Sequence, residues 1–83
     1  MRITEAYTEL RLTGAEVRLK NRSFKYDAVI STDDKGLPAL SFYDLRTGET
    51  VAPESVAYEQ VSAMLQSEDW ELIPAVPAVS AQP

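Results

Sequence analysis

Apolar residues recur every third or fourth position near the start of the chain and every second position soon afterwards. This change of period predicts a helix followed by strands. Ile3, Ala6, Tyr7 and Leu10 form one apolar stripe of a helix over about Thr4 to Leu12, with Glu5, Glu9 and Arg11 on the other side and Gly14 placed for a left-handed cap. From Glu16 the side chains alternate, Val17 and Leu19 opposing Arg18 and Lys20, as in a half-buried strand. Asn21-Arg22-Ser23 reads as a turn. Phe24 to Ile30 then resumes the alternation, with Phe24, Tyr26, Ala28 and Ile30 sharing a face. A second turn ends at Gly36, and the third strand, Leu37 to Tyr43, is partly apolar on both faces, which suits a central strand or a subunit contact.

Asp44 to Gly48 marks another turn, leading into a short strand over Glu49 to Ala52. Pro53 stops that strand and suits the first turn of a second helix, about Glu54 to Leu65, with Ala57, Val61, Met64 and Leu65 as its buried stripe. Ser67 to Asp69 turn the chain into a last strand, Trp70 to Ile73, where Trp70 and Leu72 share a face. The predicted fold is α+β: a small antiparallel sheet of four or five strands with two short helices in a single domain over residues 1–73. The Pro/Ala-rich segment 74–83 reads as a flexible tail. Tyr7, Leu10, Val61, Leu65 and Trp70 are the expected fold or interface anchors.

A chain of 83 residues with such a tail leaves a small core, and one of roughly 70 residues is marginal alone. The sequence has no cysteine and no histidine, so disulfides and conventional zinc sites are excluded. Self-association, as a dimer or tetramer, is the expected remaining route to more buried apolar area. No run of 18 apolar residues is present, and the first residues lack the apolar stretch of a signal peptide, so a cytoplasmic protein without a membrane partner is expected.

Charge divides the chain. Residues 1–25 carry six basic and three acidic side chains, whereas residues 26–83 carry two and ten, for a net charge of −5. That balance disfavours nucleic acid as a partner, because lysine and arginine supply the affinity for its phosphates. A smaller phosphorylated ligand has Arg18, Lys20, Arg22 and Lys25 to recruit, although a solvated hairpin face explains the same cluster. Without histidine or cysteine the usual nucleophilic dyads are excluded, and Asp33/Asp34 and Glu68/Asp69 are neighbours better suited to solvent or caps than to paired acid–base work. The glycines are scattered among turns, and the acidic pairs lack the spaced oxygens of a calcium loop. No enzymatic activity, metal or cofactor is expected.

Three segments resemble a known family: ITEAYTELRLTGAEVRLKNRSF (Ile3 to Phe24), TGETVAPESVAY (Thr47 to Tyr58) and MLQSEDWELI (Met64 to Ile73). Together they look like the Thoeris anti-defence proteins of the second type, small phage and prophage proteins once catalogued as a domain of unknown function. The chain departs from the family pattern at Phe24 and Tyr58, where tryptophans are usual. It also lacks a clear counterpart, at Met64 or Ser62, of an aspartate preceding the final Asp-Trp pair. The resemblance implies a homotetramer acting in the host cytoplasm that sequesters cyclic nucleotide immune signals, cyclic ADP-ribose isomers or cyclic dinucleotides, without cleaving them.

For such a ligand Phe24, Tyr26, Tyr43 and Tyr58 are candidate stacking partners for a base. Arg18, Arg22 and Lys25 are candidate phosphate ligands, and Asp69 or Ser23 could meet a ribose hydroxyl. Trp70 reads first as a core or interface anchor. The alternative expectation is an acidic protein that binds and inhibits a host defence complex, steered to a basic partner by the carboxylates beyond Tyr26.

Overall fold

The computed structural model describes residues 1–73, so the tail expected from Pro74 onward lies outside the described residues. Helix α1 runs Ile3–Thr13 and buries Ile3, Ala6 and Leu10 while Tyr7 packs partly against the core. The Arg2 backbone N–H donates to the Glu5 carboxylate at 2.7 Å, satisfying a donor at the helix start. At the other end Gly14, with φ of 70°, turns its N–H back to the Leu10 carbonyl at 2.7 Å.

Strands β1 (Val17–Lys20), β2 (Tyr26–Thr32), β3 (Pro38–Asp44), β4 (Thr50–Val51) and β5 (Glu71–Ile73) form one antiparallel sheet in the order β4-β3-β2-β1-β5. Consecutive hairpins build β1 to β4, and β5 returns to the free edge of β1. The register pairs Arg18 with Val29 and with Ile73, Asp27 with Tyr43, and Ala28 with Phe42. In the β2–β3 turn the Asp33 carboxylate accepts the N–H groups of Lys35 and Leu37 at 2.9 and 2.8 Å, and Gly36 takes the left-handed conformation that the turn requires.

Two expected boundaries shift for identifiable reasons. Phe24 lies before β2, in the turn whose backbone closes from the Phe24 N–H to the Asn21 carbonyl at 3.2 Å. The second helix is not continuous from Glu54. A single 3-10 turn, Pro53–Ser55, ends at Val56, whose extended backbone lets its side chain enter the core, and α2 begins afterwards at Tyr58–Gln66. That restart rotates the buried stripe: Met64 is fully enclosed and Val61 packs partly against the core, whereas Leu65 is 37% exposed and Ala57 lies in solvent.

The core lies on one face of the sheet. Val17, Leu19, Tyr26, Ala28, Ile30 and Phe42 project from alternate strand positions to meet Ile3, Ala6, Leu10, Val56, Met64 and Trp70. Trp70 is 1% exposed and donates its indole N–H to the Met64 carbonyl at 2.8 Å, so the single tryptophan ties the end of α2 to the approach to β5. Beside it, the Trp70 backbone N–H donates to the Met1 carbonyl, and the Met1 amino group donates to the Trp70 and Glu68 carbonyls at 2.8 Å each. No helix among the described residues is long and apolar enough to cross a membrane.

Candidate functional site

The sheet face opposite the core carries neither helix. There, alternation presents Arg18 and Lys20 from β1, Asp27 and Val29 from β2, and Ser41 and Tyr43 from β3. Arg18 places its guanidinium carbon 4.6 Å from the centre of the Tyr43 ring. Because β2 separates β1 from β3, the arginine side chain must cross β2 to reach that ring, passing over the row of Val29 and Asp27. Both are thereby shielded: Val29 is 5% and Asp27 7% exposed. The Arg18 Nε is itself enclosed without a hydrogen-bond partner.

Asp27 is the unusual group on this face. Its carboxylate accepts no hydrogen bond and enters no ion pair with any described residue; the residue as a whole is buried, but its oxygens keep contact with solvent, unlike the enclosed Arg18 Nε. Burial pushes its pKa above the ordinary carboxylate value, and the positive charges of Arg18 and then Lys20 pull it partly back. Asp44, by contrast, accepts the backbone and side-chain N–H groups of Arg46, which hold its pKa below the ordinary value. The same guanidinium also donates to the Tyr26 hydroxyl at 3.3 Å.

Two clefts meet at the turn after β1. The first, of about 540 Å³, is lined by Arg22, Ser23, Glu68, Asp69 and Glu71 beside Met1 and Trp70. The second, of about 380 Å³, lies at the end of the open face and is lined by Lys20, Arg22, Phe24, Asp27, Leu45 and Glu71. Asn21 forms the wall between them: its amide donates to the Ser67 hydroxyl at 2.9 Å while its carbonyl accepts the Ser23 N–H at 2.9 Å. Arg22 borders both clefts and, like Lys20, forms no ion pair among the described residues.

The residues singled out from sequence are distributed unevenly around this arrangement. Arg22 and Phe24 share the second cleft, and Arg22, Ser23 and Asp69 share the first. Arg18 is engaged with Tyr43 and lines neither. Tyr26 belongs to the core, edge-on to Phe42 at 6.1 Å. Tyr58 is 82% exposed in a separate groove with Pro53, Glu54, Val56 and Val61. Lys25 is exposed, and its carbonyl accepts the Leu45 N–H at 3.0 Å. Phe24 is half-buried against Trp70. The turn before Trp70 is organised by the Ser67 hydroxyl, which meets both Asn21 and the Asp69 N–H, while the Asp69 side chain remains in solvent.

Asp27, Leu45 and Glu71 escaped the sequence reading. The available signal was an acidic residue in mid-strand, a position where aspartate is depleted. No set of three or more potential metal ligands clusters among the described residues. The chain matches no protein-family model, no curated protein and no solved structure.

Proposed function

We propose that the protein is a phage-encoded binding protein that sequesters a cyclic nucleotide immune signal in the host cytoplasm without cleaving it. The observation that carries this reading is the position of Arg22. Its cation, without an ion pair among the described residues, borders two adjoining clefts, beside Lys20 and the aromatic wall of Phe24 in one and beside Ser23 and Asp69 in the other. Phosphate oxygens suit the planar donor fork of arginine, a base suits Phe24, and ribose hydroxyls suit Ser23 and Asp69. The cleft volumes fall in the range of small-molecule sites. The segment resemblance to the Thoeris anti-defence proteins supplies the ligand class, and self-association through the helix-free sheet face belongs to the same proposal.

Calorimetric titration against cyclic ADP-ribose isomers and cyclic dinucleotides tests it. The expected result is saturable binding, recovery of intact ligand after denaturation, and at least a tenfold loss of affinity in Arg22→Ala. Absence of binding across the panel, or recovery of cleaved ligand, overturns the proposal.

A further inference from the structure

We propose that the cleft at the end of the open sheet face reads a guanine base, with Asp27 as the residue that specifies it. The inference rests on the nucleotide-binding reading above and deepens it. Asp27 lines a cleft of about 380 Å³, and its carboxylate has no hydrogen-bond donor among the described residues. A ligand that seals the cleft takes this carboxylate out of water, so the ligand must itself supply N–H groups to it or leave a costly unpaired acceptor.

The surroundings narrow the ligand group. Lys20 and Arg22 line the same cleft, and Arg18 crosses the strand that carries Asp27. Three cations oppose a positively charged group approaching the carboxylate, and among the described residues Glu71 is the only other carboxylate lining the cleft, facing Lys20 across the β1–β5 pairing. A neutral donor edge meets no such opposition. Phe24 and Leu45 offer apolar surface to a planar ring, while Lys20 and Arg22 can take the phosphate attached to it.

Among the common bases, guanine alone places two N–H donors, on N1 and the 2-amino group, side by side on one edge. A carboxylate with two acceptor oxygens is their complement. Adenine and cytosine pair a donor with a neighbouring ring nitrogen whose lone pair would face the carboxylate. Uracil offers one N–H between two carbonyls. A site built around such donors discriminates strongly against analogues that lack them, because the acceptor that the bound ligand covers is then left unpaired.

The test is calorimetric titration of the full chain with the 3′,5′-cyclic monophosphates of guanosine, inosine, adenosine and xanthosine. Guanosine is expected to bind at least tenfold more tightly than inosine, which lacks the 2-amino group, and than adenosine. Asp27→Asn is expected to lose that preference and favour xanthosine, whose 2-carbonyl accepts from the asparagine amide while its N1–H donates to the amide oxygen. The comparison of bases on the unaltered protein stands whether or not the variant folds. Equal affinity for all four bases overturns the role of Asp27 and leaves nucleotide binding intact; no binding of any cyclic nucleotide overturns this inference, and failure with the wider panel as well overturns the functional reading beneath it.

Discussion

The ring of Phe24 lies parallel to the indole of Trp70, with 5.8 Å between centroids and 9° between planes. The stack joins the β1–β2 turn to the segment before β5, two parts of the chain that neither helix connects. Trp70→Phe removes the indole donor from the Met64 carbonyl and leaves a void, at an expected cost of about 2–4 kcal/mol. Phe24→Ala, at a half-buried position, is expected to cost about 1–3 kcal/mol. Urea unfolding followed by circular dichroism measures both, and a double-mutant cycle should give a coupling of about 0.5–1.5 kcal/mol. Strict additivity would show that the two rings contribute independently.

Asn21 bridges the same two regions through polar contacts. Replacing it with alanine removes the acceptor of the Ser23 N–H and the donor to the Ser67 hydroxyl, with an expected loss of about 1–3 kcal/mol. Ser67→Ala should cost less, because the hydroxyl is only partly buried and the Asp69 N–H can turn to water. Thermal denaturation of the two variants distinguishes them. A larger loss from Ser67 would assign the organising role to the serine.

The fold was largely legible in the sequence because alternation reports faces directly. Val17 and Leu19, and likewise Tyr26, Ala28 and Ile30, project as their spacing requires. The second helix was misread because Pro53 and Glu54 make a good helix start by local criteria, while the burial of Val56 is a tertiary demand. The candidate site was less legible. Six basic residues in the first 25 identify a positive region, but their spacing cannot reveal that Arg18 crosses β2 to meet a tyrosine 25 positions later, or that Leu45 and Asp27 border one cleft. Those relations depend on the pairing of β2 with β3, which alternation leaves open.

The two buried aspartates should respond to pH with opposite sign. Asp27 has its pKa raised in the native state, so its contribution to stability is fully present below the unfolded carboxylate value of about 3.9 and is lost as pH rises through the native value. Asp27→Asn is therefore expected to be more stable than the parent near neutral pH, with the difference vanishing in acid. Asp44 has its pKa lowered by Arg46, so its contribution is present above the unfolded value and is lost as pH falls through the native one. Asp44→Asn should be less stable than the parent near neutral pH and converge with it in acid. Denaturant midpoints across the acid range test both; parallel curves for the two variants would contradict the assigned environments.

Gly14 isolates a purely conformational effect. Its φ of 70° is left-handed, and a Cβ added there meets nothing within 4 Å. Gly14→Ala is expected to destabilise the protein by about 1–2 kcal/mol through backbone strain alone, and Gly14→Asn by less. Chemical denaturation of the three proteins checks the order.

The placement of β1 between β2 and β5 gives the sheet a built-in order of completion. Until residues 71–73 pair with β1, the hairpins β1 to β4 leave the outer edge of β1 as an open row of backbone donors and acceptors. The later arrival of Trp70 beneath Phe24 brings β5 onto that edge. A chain that has not completed this step retains a pairing edge that a second copy can occupy, so the last strand acts as a guard against strand exchange as well as a component of the fold.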